Sequence, residues 1–316
     1  MSSDVPSEPL DPTLERVLAM MRKAPGSSGD LDAASLRELT RTSMRFLSPP
    51  ERRPEVGVVR GVDAGGVPAR LFTPEGTGPW PTVLHLHGGG FVTGDLDTYD
   101  HTIRRLCRDA EAAVLSVDYR LAPEHPFPAG VEDAIRAARW AADHLADLGG
   151  TDVLAVSGDS AGGNLAAVVA QELREVIAAQ VLIYPVLDHG RRAYASRKAN
   201  GSGYGLERDQ MSFYRTAYLP DEGAVDLDDP RLSPIVGDLA GLPPALVVTA
   251  GYDPLRDEGE AYVAALCEVG VEAELLRFGS LVHGFTEMGV LSEACDLAHA
   301  EIVERTRLLL ARVSAG

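Results

Sequence analysis

A serine flanked by glycines is the clearest chemical signal in the chain. The apolar stretch Val153–Ser157 predicts a strand, and Gly158-Asp-Ser-Ala-Gly162 connects it to a segment with helical character. Glycines two positions before and two after the serine allow a tight turn that lifts its hydroxyl clear of a sheet. The first N–H groups of the following helix can then face a developing oxyanion. Ser160 is therefore predicted to be a nucleophile for acyl transfer.

A glycine run that could stabilise such an oxyanion follows an earlier strand. The predicted strand 82–86 continues into His87-Gly-Gly-Gly90. Glycine N–H groups can approach an oxyanion closely because no Cβ stands in the way. We expect three backbone N–H groups to form the oxyanion hole, those of Gly89, Gly90 and Ala161. His87 precedes the serine in the chain and is expected to brace this loop rather than to act as a base.

A base for Ser160 must come from the histidines that follow it, if the chain order is serine, acid, histidine. Three histidines follow, His189, His283 and His299. His189 begins a long irregular segment, and His299 lies on a predicted amphipathic helix where we expect it to be solvated. His283 lies in a loop after the last predicted strand, from which it can reach the serine. We predict that His283 is the base.

The acid that orients this histidine is predicted from its position after a strand. Asp253 follows the predicted strand 245–249 directly. Asp257 and Glu258 are rivals, but they come where a helix should begin, and Asp257 is typical of an N-cap. Asp159, beside the nucleophile, is expected to point away from the pocket. Asp253 is the predicted acid of the triad.

The elements that must position these residues form an α/β pattern. Short, nearly continuous apolar runs alternate with helical stretches, which predicts a mostly parallel eight-stranded sheet with helices on both faces. The predicted strands are 56–62, 67–72, 82–86, 113–117, 153–156, 181–184, 245–249 and 274–278. The predicted helices within this pattern are 99–109, 131–148, 161–175, 258–269 and 293–313.

Two segments depart from the alternating pattern. Residues 1–50 predict two helices, the first capped by Asp11 with Pro12 at its first position, the second spanning 31–46 after a break at 24–29. The interval between Tyr184 and Pro244 has no strong strand and contains a predicted helix at 207–218. A long insertion after a strand of such a sheet is typical of a lid or binding loop.

Composition excludes several classes of partner. The formal charge of −18 disfavours nucleic acid and anionic lipid. The N-terminus is polar and acidic, unlike a signal peptide, and no apolar stretch reaches the ~18 residues of a membrane span. Three cysteines without metal-ligand spacing indicate a reducing compartment, and Cys107 and Cys267 are expected to be buried. We expect a cytoplasmic protein without a metal or another cofactor.

These motifs together resemble the hormone-sensitive lipase family of esterases, known as bacterial family IV, within the α/β-hydrolase superfamily. The resembling segments are His87-Gly-Gly-Gly90, 118–129, Gly158-Asp-Ser-Ala-Gly-Gly-Asn164, Tyr184-Pro185, 253–259 and His283-Gly-Phe285. The GDSAG form of the serine motif is similar to the larger of two usual subgroups. The resemblance implies a carboxylesterase that hydrolyses short- to medium-chain esters through an acyl-enzyme.

The resemblance also implies how the chain is organised. Residues 1–50 and 188–235 would form a helical cap, and 51–187 with 236–316 would form the α/β-hydrolase core. Arg120 and Glu124 would pair under the oxyanion loop, and the bonds before Pro123 and Pro128 would be candidates for the cis form. The last strand, 274–278, could lie at a sheet edge and pair in a homodimer.

The substrate pocket is the least determined part of the prediction. Apolar residues of the insertion, and one from the histidine loop, could line an acyl pocket. These residues are Leu206, Met211, Phe213, Tyr214 and Phe285. The insertion residues could equally pack the cap onto the core.

Other functions share this scaffold. A non-catalytic small-molecule receptor is one alternative, because the plant gibberellin receptors resemble the family but have lost the catalytic histidine, which is present here as His283. A deacetylase or amidase acting on a metabolite would use the same chemistry, and dehydratase activity occurs among relatives. The sequence does not separate these substrates.

Overall fold

A twisted eight-stranded sheet forms the centre of the structure, a computed structural model that describes residues 8–22, 32–190 and 192–315. The strand order is β1-β2-β4-β3-β5-β6-β7-β8, and only β1–β2 and β2–β4 pair antiparallel. The strands are β1 (Val58–Asp63), β2 (Pro68–Thr73), β3 (Trp80–Leu86), β4 (Ala113–Val117), β5 (Gly150–Asp159), β6 (Ile177–Ile183), β7 (Ala245–Tyr252) and β8 (Ala273–Val282). The predicted fold class and the eight strands are confirmed.

Helices cover both faces of the sheet. They are α3 (Asp100–Asp109), α4 (Ala129–Asp143), α5 (Ala161–Glu172), α8 (Arg256–Glu268) and α9 (Glu293–Ser314). Successive strand residues point into different cores: Leu84 packs with residues of α4, α5 and α8, whereas Val83 packs with α3 and α9. Every residue of β4 is buried, as expected for a strand covered on both faces.

Two helices near the N-terminus lie over the carboxyl ends of the strands. Helix α1 (Pro12–Met21) begins after Asp11, whose carboxylate accepts the N–H groups of Thr13 and Leu14 at 3.0 Å, which confirms the predicted cap. Helix α2 (Ala33–Leu47) is capped in the same way by Asp32. The predicted break at 24–29 and the predicted helix start at residue 31 lie outside the described residues.

The insertion after β6 contributes two further helices, α6 (Ala195–Ala199) and α7 (Arg208–Tyr218). Between Tyr184 and Pro244, the described residues contain no strand, as the sequence predicts. Arg197 of α6 donates to the buried carboxylate of Glu258 at 2.6 Å, so an ion pair fastens the insertion to α8.

Several expectations for polar residues were wrong. Arg120 pairs with Asp133 at 2.7 Å rather than with Glu124, because α4 brings Asp133 beneath the segment, while Glu124 faces α2. Asp257 does not cap α8, which begins one residue earlier; its carboxylate accepts the N–H of Ser196.

The predicted cis bonds before Pro123 and Pro128 are both present.

Two predictions of exposure were also wrong. His299 of α9 is buried, and this burial lowers its pKa to about 3. Cys267 is exposed on α8, because its neighbours Tyr262 and Leu266 occupy the buried face of that helix, whereas Cys107 is buried as predicted.

No helix within the described residues is long and apolar enough to cross a membrane.

Candidate active site

Ser160 occupies the sharp turn between β5 and α5, with strained backbone angles of φ 54° and ψ −117°. The two flanking glycines are required sterically. A Cβ on Gly158 would lie 2.2 Å from the carbonyl oxygen of Gly162, and one on Gly162 would lie 2.0 Å from that of Leu86. The turn therefore holds the serine hydroxyl at the carboxyl end of the sheet, as the sequence predicts.

His283 connects the serine to a buried carboxylate. Its Nε2 lies 2.9 Å from Ser160 Oγ, and its Nδ1 lies 2.8 Å from Asp253 Oδ2. Asp253 has no exposed surface, and its other oxygen accepts the N–H of Leu255 at 2.8 Å. A carboxylate at Nδ1 keeps the proton there, which leaves Nε2 free to accept the serine proton. The structure thus brings the three predicted triad residues into one hydrogen-bonded chain.

The glycine loop lies next to the serine. Gly89 and Gly90 have positive φ angles of 114° and 60°, and a Cβ on Gly89 would lie 2.3 Å from the carbonyl oxygen of Thr93. The N–H groups of Gly89, Gly90 and Ala161 have no hydrogen-bond partner among residues 8–22, 32–190 and 192–315. Three unpaired donors at one place can receive a negative oxygen.

The back of this loop is held by Asp159. Its Oδ1 accepts the N–H of Gly88 at 2.9 Å, and its Oδ2 accepts the hydroxyl of Tyr99 at 2.9 Å. Burial raises the pKa of Asp159 to about 6. Its carboxylate is therefore engaged with the loop rather than aimed at the serine.

His87 also supports the loop from the inside. Its Nδ1 lies 2.8 Å from the carbonyl oxygen of Gly88, and its ring stacks on Tyr119. Burial lowers its pKa to about 4, so the ring is neutral near pH 7. This placement agrees with the predicted bracing role.

Sequence reasoning missed two residues that support the triad. The side-chain amide of Asn200 donates to the carbonyl oxygens of Gly251 and Asp253, both at 3.1 Å, and so fixes the turn that carries the acid. The ring of Tyr184 lies 4.7 Å from that of His283, and its φ is 36°. The Tyr184-Pro185 motif was the only signal for the second residue.

A cleft of about 560 Å³ opens above Ser160 and His283. Its walls are mainly apolar and come from α1, α2 and the insertion. Wall residues include Leu14, Val17, Leu18, Met44, Leu47, Leu206, Met211 and Tyr214. Of the predicted pocket residues, Leu206, Met211 and Tyr214 therefore face the cleft.

The other two predicted pocket residues do not line the cleft. Phe285 follows Gly284, whose φ of 75° turns the chain inward, and it is fully buried against Tyr184 and Phe278. Phe213 packs on the hydrophobic core instead. It precedes Tyr214 on α7, and neighbouring residues on a helix point about 100° apart.

No group of three or more histidine, cysteine or acidic side chains within the described ranges is arranged to hold a metal ion. The chemistry that this arrangement can perform is nucleophilic acyl transfer, with Ser160 as the attacking group and His283 as its base.

Comparison with known proteins agrees with this chemistry. Residues 83–287 match the family described as the alpha/beta hydrolase fold. The carboxylic ester hydrolase LipN of Mycobacterium tuberculosis is 41% identical over 96% of this chain and 84% of its own length. An ethyl acetate hydrolase of Pseudomonas putida is 39% identical over 77% of this chain and 78% of its own length.

A solved structure shares the whole architecture. The hyperthermophilic esterase of the archaeon Pyrobaculum calidifontis superposes with a TM-score of 0.89 at 39% identity, covering 95% of this chain and 98% of its own. Residues 83–287, which match the family, contain the serine turn, the glycine loop, Asp253 and His283. The chain belongs to the alpha/beta hydrolase fold family and is a carboxylic ester hydrolase.

Proposed function

We propose that the protein hydrolyses carboxylic esters in two steps, with Ser160, His283 and Asp253 as its catalytic triad. His283 Nε2 accepts the proton of Ser160 as Oγ bonds to the ester carbonyl carbon. The imidazolium then protonates the leaving alcohol oxygen, the ester C–O bond breaks, and an acyl-enzyme remains. Water loses a proton to His283, attacks the acyl carbon and releases the acid, and the proton returns to Ser160.

The observation that carries this proposal is the continuous hydrogen-bond chain from Ser160 through His283 to Asp253, at 2.9 and 2.8 Å. A serine hydroxyl is a weak nucleophile until a positioned base accepts its proton. The buried Asp253 carboxylate stabilises the imidazolium that forms. The unpaired N–H groups of Gly89, Gly90 and Ala161 are proposed to stabilise the tetrahedral oxyanion.

Short- to medium-chain esters are the proposed substrates. The cleft volume of about 560 Å³ suits a small ester, and its apolar walls favour an uncharged acyl chain. The similarity to an ethyl acetate hydrolase supports a small substrate. We propose that residues 1–50 and 188–235 act as a cap over a core of 51–187 and 236–316, with Leu206, Met211 and Tyr214 forming part of the substrate pocket.

A homodimer through β8 and a cytoplasmic location are also proposed. Strand β8 lies at the edge of the sheet, where its outer backbone groups can pair with a second copy. The three cysteines are all free, which fits a reducing compartment.

The decisive experiment compares the wild-type enzyme with Ser160→Ala on p-nitrophenyl esters from acetate to palmitate. Wild type should hydrolyse the short and medium esters fastest, and the variant should lose at least ~10⁴-fold of kcat because no nucleophile remains. A fluorophosphonate should label Ser160 in the wild-type enzyme only. A receptor of the same fold would leave Ser160 unlabelled and the esters intact, and either result contradicts the proposal.

A further inference from the structure

The position of the oxyanion donors depends on a tight turn after Gly89. The N–H groups of Val92 and Thr93 both donate to the carbonyl oxygen of Gly89, at 3.1 and 2.9 Å. The carbonyl oxygen of Phe91 in turn accepts the N–H of Ala122 at 2.9 Å. Movement of this turn would therefore move the N–H groups of Gly89 and Gly90.

One arginine of helix α2, Arg37, donates hydrogen bonds to this turn and to the segment that follows β4. Arg37 Nε donates to the carbonyl oxygen of Val92 at 2.8 Å, and Nη2 donates to that of Ala122 at 2.9 Å. Nη1 and Nη2 also make a bidentate pair with the carboxylate of Glu124, at 2.8 and 2.6 Å. One guanidinium thus joins α2, the glycine loop and the segment that follows β4.

This contact is more buried and more restrained than an ordinary surface ion pair. The side chain of Arg37 is only 19% exposed, and two of its four bonds go to main-chain carbonyls that cannot rotate away. The hydrogen bonds from Arg37 lower the pKa of Glu124 to about 2, so the carboxylate stays ionised over the working range of pH. Planar bidentate recognition of this kind is specific to arginine, and lysine cannot reproduce it.

Other arginines of α2 provide an internal comparison. Arg41, one turn further along, pairs with Asp95 at 2.9 Å but is 44% exposed, and it donates to no main-chain carbonyl of a described residue. Arg45, two turns along, makes no hydrogen bond or ion pair within the part of the chain that the structure describes. Among the arginines of α2, hydrogen bonds to main-chain carbonyls of the described residues are therefore made by Arg37 alone.

We propose that Arg37 is a positioning residue for the oxyanion hole, through which helix α2 contributes to turnover as well as to the substrate wall. The inference rests on the proposed function, because it assumes that Gly89 and Gly90 stabilise a tetrahedral oxyanion. Arg37 holds the Val92 carbonyl, and the Gly89–Thr93 turn transmits that position to the donors. A displacement of about 1 Å at such donors can cost ~10²-fold in rate.

The test compares Arg37→Ala with Arg45→Ala, which removes the same charge from the same helix. Arg37→Ala should lower kcat for p-nitrophenyl acetate by about 10- to 100-fold with little change in KM. Its affinity for a trifluoromethyl ketone, which forms a tetrahedral adduct on the serine, should fall by a similar factor. Arg45→Ala should match the wild type in both measurements. Arg37→Lys should fall between the two, because a lysine ammonium lacks the planar fork that reaches both carbonyls and the Glu124 carboxylate together.

Two kinetic results would overturn the inference about Arg37, and one labelling result would overturn the proposed function instead. A kcat for Arg37→Ala equal to that of Arg45→Ala overturns the inference, and so does a loss confined to KM, which would make α2 a wall only. If Arg37→Ala does not fold by circular dichroism, the same criteria apply to Arg37→Lys. Fluorophosphonate labelling is measured first: an unlabelled wild type overturns the proposed function itself, whereas a labelled wild type leaves these comparisons to decide on Arg37 alone.

Discussion

At the scale of single residues, the site depends on positions where a side chain has no room. Gly90 has a φ of 60°, and a Cβ there would lie 2.3 Å from Cγ of Tyr214. The phenol ring of α7 is therefore packed directly on the oxyanion loop. Tyr214 is a wall of the cleft and also limits how far this loop can move outward.

Gly90→Ala should lower kcat by about 10-fold or more, because either the loop or the Tyr214 ring must shift while the N–H donor itself is retained. Adding Tyr214→Ala should restore part of the lost kcat by removing the clash. Gly66→Ala is the matched control: its φ is 87° but no atom lies within 4 Å of the new Cβ. That variant should lose stability alone. Steady-state kinetics of the four proteins measure the effect, and a wild-type kcat for Gly90→Ala would contradict it.

The residues proposed to perform the chemistry could be predicted from the sequence, whereas two of those that position them, Arg37 and Asn200, could not. Ser160 and His283 stand in local motifs whose spacing has a steric reason. Arg37 and Asn200 act through main-chain carbonyls far along the chain, and no local pattern marks such a contact. The predicted pairing of Arg120 with Glu124 was wrong for the same reason: the true partners come from α4 and α2.

At the scale of elements, the two strands that carry the triad partners run further than predicted. The prediction ended β8 at residue 278, before Gly279, but the strand continues to Val282. The pairing of β7 and β8 shifts register between Ala250 and Tyr252, where a Cβ on Gly251 would lie 1.9 Å from the carbonyl oxygen of Gly279. Gly251 and Gly279, which lie beyond the predicted ends of these strands, let the strands pass closely, which places Asp253 beside His283.

Loss of the N-cap of helix α1 should affect both stability and substrate binding, because this helix forms part of the cleft wall. Asp11→Ala should destabilise the protein by about 1 kcal/mol through loss of the N-cap, and should raise KM for p-nitrophenyl butyrate because Leu14, Val17 and Leu18 of this helix line the cleft. Urea unfolding and steady-state kinetics measure the two effects. Asp11→Asn keeps an acceptor oxygen and should resemble the wild type. Equal KM values for the alanine variant and the wild type would contradict the link.

At the scale of the whole molecule, a chain with a charge of −18 buries several carboxyl groups near its site. Burial raises the pKa of Glu287 to about 8, with a further contribution from the charge of Asp159, and burial raises that of Glu258 to about 7. Glu287 lines the cleft, and its carboxyl group accepts the hydroxyl of Thr102 at 2.8 Å. None of this electrostatic coupling could be predicted from composition, because it depends on burial.

The raised pKa of Glu287 makes stability depend on pH. Its folded pKa lies above the unfolded value near 4.5, so its contribution is fully present below pH 4.5 and is lost as the pH rises to about 8. Glu287→Gln removes this dependence. The stability of Glu287→Gln relative to the wild type should therefore increase between these two pH values and stay constant above them.

Urea midpoints across this pH range measure the difference. Glu304→Gln is the control, because Arg307 lowers the pKa of Glu304 and that exposed carboxylate stays ionised throughout. Its difference from the wild type should not change with pH. A flat difference for Glu287→Gln as well would show that this carboxyl is ionised in the folded protein.

The contact between the first described helix and the last strand has a consequence for biosynthesis. The N–H of Asp11 donates to the carbonyl oxygen of Ser280, and its carboxylate accepts the hydroxyl of Ser292 at 3.1 Å. On the ribosome, α1 emerges well before β8 and the start of α9, which provide the surface that receives it. A nascent chain arrested before β8 would lack both His283 and part of the wall of the cleft. Hydrolytic competence can thus be acquired only after β8 and the loop that carries His283 have been translated.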